Sequence, residues 1–128
     1  MNKVEFSLSV INYANIIVEK CNGSECRLCM KECVMMNDFG NCPKDFMKKL
    51  ANNSEMDPLL AYSCNQCGLC KVVCPNNLPM EKVFMDSRKD FVKANKGQSP
   101  IKNHKPVKIH QWLSFSKFFT TKTKSGKK

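Results

Sequence analysis

The chain has 128 residues, nine cysteines and a formal net charge of +10, a length suited to a single domain around one core. Its first twenty residues are broken by Asn2, Lys3, Glu5, Ser7, Ser9, Asn12 and Asn15, so neither a signal peptide nor a membrane span is expected there. A cytoplasmic chain is therefore expected, in which a disulfide framework explains the cysteines poorly and metal-gripping thiolates explain them well. The charge is unevenly placed. Residues 1–90 balance 11 Lys or Arg against 11 Asp or Glu, while residues 91–128 carry 10 Lys and no acid.

Residues 4–20 predict a helix, with Phe6, Val10, Tyr13, Ile16 and Ile17 near a helical stripe. Residues 21–42 are cysteine-rich and turn-prone. Residues 44–52 predict a short helix with Phe46, Met47 and Leu50 on one side, ended by Asn52, Asn53 and Ser54. Asp57-Pro58 predicts the next helix start, with Asp57 as N-cap, Pro58 in the first turn and Leu59, Leu60 and Tyr62 as the apolar face. Residues 64–75 form a metal loop. Leu78-Pro79 opens the best helix, running to about residue 96 with Met80, Val83, Phe84, Ser87, Phe91 and Ala94 in register and Gly97 as its stop. Residues 98–128 show no sustained period. They read as a flexible, largely irregular basic tail with a local apolar patch, and residues 120–128 as disordered.

The sharpest signal is Cys64-x2-Cys67-x2-Cys70-x3-Cys74-Pro75, the run that binds a [4Fe–4S] cube in bacterial ferredoxins. Three cysteines at two-residue intervals wrap one face of a cube, each thiolate taking one iron. The fourth iron faces away, so Cys74 is free to reach a second cluster, and Pro75 turns the chain outward. Gly68 lets the backbone pass close to the inorganic core. Zinc is the bland alternative. It prefers two cysteine pairs set well apart, whereas four cysteines within eleven residues crowd one tetrahedral ion.

A second run, Cys21-x4-Cys26-x2-Cys29-x3-Cys33, matches at its last three positions. Cys21 sits two residues too far upstream, and a bulge of Asn22, Gly23 and Ser24 would let it still reach an iron. Crossed ligation then assigns Cys21, Cys26, Cys29 and Cys74 to one cluster and Cys64, Cys67, Cys70 and Cys33 to the other. Cys42, followed by Pro43, is the ninth cysteine. It reads either as a free thiol or as an alternative ligand in place of Cys21 or Cys33. Two thiolate-ligated cubes would bring the cysteine region to about −4, opposite in sign to the tail.

These runs, the 30 residues between Cys33 and Cys64 with two helical segments, and the stretch from Asp57 to Cys70 resemble the α-helical ferredoxin domain. That domain occurs in the C subunits of heterodisulfide reductase and of anaerobic glycerol-3-phosphate dehydrogenase, and in the C-terminal half of succinate dehydrogenase iron–sulfur subunits. The resemblance covers about residues 15–97. It implies an all-α domain around two [4Fe–4S] clusters, spanning residues 1–97, with residues 98–128 as a basic linker. It also implies electron transfer as a module or subunit of an anaerobic iron–sulfur oxidoreductase, working with a redox partner such as a cysteine-rich catalytic subunit or domain. The family normally has Cys-x2-Cys at the start of its first run, from which Cys21-x4-Cys26 departs.

His104 and His110 read as solvated linker residues, since no partner stands at ligand spacing. Met30, Met35 and Met36 are placed to shield the first cluster. No Ser–His–Asp set, phosphate loop or dinucleotide fingerprint is present, so no catalytic residue is expected. Nucleic-acid binding is not expected either. The rival class is a structural zinc module that binds nucleic acid through the lysine-rich tail.

Overall fold

The computed structural model describes residues 4–39, 42–53 and 55–116. Among these the regular structure is all helical: α1 (Leu8–Lys20), α2 (Leu28–Glu32), α3 (Val34–Asp38), α4 (Pro43–Asn53), α5 (Pro58–Ser63), α6 (Leu69–Val72), α7 (Met80–Ala94) and α8 (Lys105–Phe115). Single turns of 3₁₀ helix fall at Gly23–Glu25 and Lys102–His104. The all-α expectation holds. Residues 21–39, read as turn-prone, instead hold a 3₁₀ turn and two short helices, with Cys29 inside α2 and Cys33 between α2 and α3.

Three long helices make the core. α1 lies against both α4 and α7, and α5 packs on α7. The buried set is Val10, Ala14 and Ile17 from α1, Met47 and Leu50 from α4, Leu60 from α5, and Met80, Val83, Phe84 and Phe91 from α7, with Met36 and Leu78. Excluding these side chains from water drives the packing, at roughly 1.5–3 kcal/mol for each large one. Two contacts fix α1 along α7. The Ser7 N–H donates to Asp90 at 2.9 Å and the Ser9 hydroxyl to Asp86 at 3.2 Å. Phe6 then packs edge-on against Phe91 at 5.4 Å.

The sequence stripe is right in period but shifted in detail. Ala14 is buried and Ile16 is 38% exposed, because α1 begins at Leu8 and two neighbouring helices contact its Val10–Ile17 side. On α5 the apolar face is Leu60 and Ala61, while Leu59 is 53% exposed. On α7 Ala94 is exposed, past the end of the packed stretch.

The caps follow local chemistry. Asp57 accepts from the Leu59 N–H at 2.8 Å, with Pro58 at the first helical position. At the end of α7, Lys96 takes the left-handed turn (φ 53°) and the Gly97 N–H bonds to Val92 O at 2.8 Å. This is a six-to-one closure of the final carbonyls.

Beyond residue 97 the reading needs correction. Residues 102–115 are helical rather than irregular, because Pro106 is tolerated in a first turn and its fixed φ suits a helix. The base of this segment is also docked. His104 is half-buried, packs edge-on against Tyr62 at 5.7 Å and shares a hydrogen bond with the Ser99 hydroxyl at 2.8 Å. On α8 itself Val107, Ile109, Trp112 and Phe115 remain exposed. The end expected to be disordered, residues 120–128, lies outside the described residues. Among the described residues no helix is long and apolar enough to cross a membrane.

Candidate iron–sulfur centres

The two cysteine runs adopt the same local design. In the second run, Gln66 lies two residues after Cys64 and takes a left-handed conformation (φ 59°). Gly68, after Cys67, does the same (φ 74°) and starts α6, which carries Cys70. In the first run, Gly23 lies two residues after Cys21 (φ 67°), and Arg27, after Cys26, is left-handed (φ 48°) and starts α2, which carries Cys29. The two extra residues between Cys21 and Cys26 are taken up by the 3₁₀ turn Gly23–Glu25. Left-handed residues turn backbone N–H groups inward, and the sulfurs accept from this arrangement. The Gly23 N–H donates to Cys21 Sγ at 3.4 Å, and the Gln66 side-chain amide lies 3.5 Å from Cys64 Sγ. N–H donors of this kind stabilise thiolate charge.

Tertiary contacts then interleave the runs. α2 packs against α6, which brings Cys29 and Cys70 to adjacent walls. A cavity between them is lined by Cys21, Cys26, Cys29, Cys42, Cys70 and Cys74. Cys33, at the far end of α2, stands with the other group: it and Cys67 act electrostatically on Cys64. Cys74 thus shares a cavity with the thiols of the first run as well as with Cys70, and Cys33 acts on Cys64 of the second. Three side-chain ties set these positions. The Asn76 amide donates to Lys20 O at 2.6 Å and Lys44 Nζ to Cys21 O at 2.7 Å, both at the end of α1. Arg88 Nε donates to Ala61 O at 2.7 Å and its Nη2 to Cys64 O, at the end of α5.

All nine thiols are free, and Cys67 is the exposed one. Burial pushes Cys29 up to about 11, with the Cys21, Cys42 and Cys74 thiols adding to the effect. Burial, then the Glu81 carboxylate, pushes Cys70 up to about 12. Cys21 is raised by burial and by Cys42, against the Gly23 N–H and Lys44, which lower it. Cys64 is raised by burial, against the Gln66 N–H and Arg88. Thiols held this way stay protonated at neutral pH until a cation displaces the proton, which is the ordinary coupling of metal binding to proton release.

Two charged side chains of α7 therefore bracket the second group. Glu81 faces Cys70, and its buried Oε2 has no hydrogen-bond partner among the described residues. Arg88, seven residues on, faces Cys64 and lies 5.5 Å over the Tyr62 ring. Neither was singled out from sequence. The seven-residue interval beside the core stripe, two helical turns on one side of α7, was the available signal. Lys44 and Asn76 were missed as well. Each stands one residue after a Cys-Pro pair, Cys42-Pro43 and Cys74-Pro75.

Of the methionines expected to shield the first cluster, Met36 is a core residue at 1% exposure, and Met30 and Met35 pack partly buried against that core.

Among the described residues no three thiols, imidazoles or carboxylates converge on one point as a single metal ion requires. Six of the nine thiols line the walls of one cavity. Helices and thiols together define an all-α iron–sulfur protein. Residues 20–79, which contain all nine cysteines, match the family model of the 4Fe-4S dicluster domain, and this donor set fits two [4Fe–4S] clusters. No curated protein and no solved structure matches the chain.

Proposed function

We propose that the chain is a two-cluster electron-transfer module in which Cys21, Cys26, Cys29 and Cys74 serve the first cluster and Cys33, Cys64, Cys67 and Cys70 the second. The observation that carries this reading is the exchange of fourth thiols. Cys74 lines the cavity of the first run, and Cys33 acts on the second. Each cluster, when bound, supplies a one-electron couple. The chain's own residues do the rest: they hold the thiolates, aim N–H groups at sulfur, exclude water with the α1–α4–α7 core and set local charge through Glu81, Arg88 and Lys44. α2 against α6 keeps the two sites adjacent, so an electron entering one has a short path to the other. The exposed Cys67 makes the second site the natural point of exchange with a partner.

The partner is proposed to be a cysteine-rich catalytic subunit or domain of an oxidoreductase of the heterodisulfide reductase or glycerol-3-phosphate dehydrogenase kind, in the anoxic, reducing cytoplasm that free thiols and an exposed cluster ligand suit. On this reading residues 1–97 are the electron-transfer domain and residues 98–128 a basic extension toward the partner, whose acidic surface its lysines complement.

Anaerobic purification with metal analysis tests the core of the reading. About eight iron and eight sulfide per chain, from two cubes, with broad visible absorption bleached by dithionite, is the expected result. A folded, colourless protein with stoichiometric zinc would replace it by the zinc-module alternative.

A further inference from the structure

Six thiols line the first cavity, and with Cys70 of α6 given to the second cluster, five remain for a cube that needs four. The five are Cys21, Cys26, Cys29, Cys42 and Cys74. Cys42 is not there by chance of a mobile loop. It immediately precedes α4, Pro43 behind it is fully buried, and the Asp45 N–H closes on its carbonyl at 2.9 Å. Its position relative to Cys21 is set by Lys44, which bonds the Cys21 carbonyl. The same construction delivers Cys74. Cys74-Pro75-Asn76 is tied to Lys20 O and Cys42-Pro43-Lys44 to Cys21 O, so two Cys-Pro units are fastened to consecutive carbonyls at the end of α1. Cys33 does not line this cavity, and Cys21 is the cavity thiol whose carbonyl the Cys42-Pro43-Lys44 segment holds, which makes Cys21 the thiol that Cys42 can stand in for.

We propose that Cys42 is a fifth ligand thiol of the first site and shares one iron position with Cys21, either thiolate completing the cube while the other waits as a thiol. Exchange moves one proton: the incoming thiol gives up its proton as its sulfur binds iron, and the released thiolate takes one up, with no change in oxidation state. The site would keep its cluster when one of the two thiols is lost, for instance to alkylation. This rests on the two-cluster reading, which the iron count of the unaltered chain tests separately.

The test uses the full chain with Cys21→Ser, Cys42→Ser and the double variant, purified without oxygen. Each single variant is expected to retain about eight iron, with an altered electron paramagnetic resonance signal for the first cluster only. The double variant is expected to fall to about four, the second cluster remaining as the internal sign of folding. Loss of half the iron in Cys21→Ser, with Cys42→Ser spectroscopically silent, overturns the proposal. So does loss in Cys42→Ser alone, or full iron in the double variant. A second measurement needs no variant. Alkylation of the unaltered iron-loaded chain with a maleimide, mapped by mass spectrometry, should label Cys21 in some molecules and Cys42 in others. Label on Cys42 alone overturns sharing.

Discussion

The first and second cysteine runs show how much spacing a cluster loop tolerates. Cys64 to Cys70 follows the compact pattern, with left-handed residues at Gln66 and Gly68. Cys21 to Cys29 is two residues longer, yet Gly23 and Arg27 are left-handed at the corresponding places, and the surplus is absorbed by one 3₁₀ turn. What both runs preserve is a sulfur accepting an N–H two residues on and a short helix presenting the third cysteine. The lesson is that the backbone conformation around each thiol, rather than the count of residues between thiols, makes the binding face. The runs also differ in their electrostatic setting. The second is bracketed by Glu81 and Arg88 of α7. The first has Lys44 and Cys42 beside Cys21.

The largest effect should come from removing the cysteine at the junction. Cys70→Ser is expected to cost the second cluster outright, about four of eight iron by the cube's stoichiometry, read by metal analysis and loss of one paramagnetic signal. Cys29→Ser should do the same to the first. If Cys70→Ser kept all its iron, the pairing of the runs would be broken. A smaller effect sharpens the electrostatic contrast. Arg88→Gln should lower the potential of the second cluster and Glu81→Gln should raise it, each by roughly 100 mV, the scale of a unit charge several ångströms away at an effective dielectric of about 20. The first cluster's potential should stay put, and redox titration followed by electron paramagnetic resonance distinguishes the two. The smallest effect compares the equivalent left-handed residues. Gly68→Ala should cost about 1 kcal/mol of folding stability, since a Cβ at φ 74° is strained even though space around it is open. Arg27→Gly should instead gain ~0.5 kcal/mol, strain relief partly offset by chain entropy. Denaturant melts of the iron-free chains would measure both.

Much of this was legible in advance because it is local. Asp57-Pro58 starts a helix since its side chain and ring act within one turn, and the structure places the cap as read. Cys64 to Cys74 announced a cubane because three of its four ligand positions lie on one loop. Crossed ligation pairs Cys33 with the second run in the sequence, and the proposed assignment of Cys33 draws on its electrostatic action on Cys64. Residues 102–115 were misread because an apolar set scattered around a short helix leaves no period to detect, and Ile16 because a stripe does not say which neighbours will cover it. Arg88 and Glu81 were invisible as tuning groups because both act across to other elements.

Taken alone, the order of residues determined the thiol-rich loops, the helix starts and stops, the apolar stripes of α1, α4 and α7 and the kind of cofactor, since each depends on groups within a few positions of one another. Only the packed chain decided which thiols share a cavity. That Cys42 shares a cavity with Cys21 and not with Cys33, and that an arginine and a glutamate of one helix flank the second run, follow from α2 meeting α6 and from side chains closing on the ends of α1 and α5. Those contacts join residues 23 to 56 positions apart, and no local rule relates them.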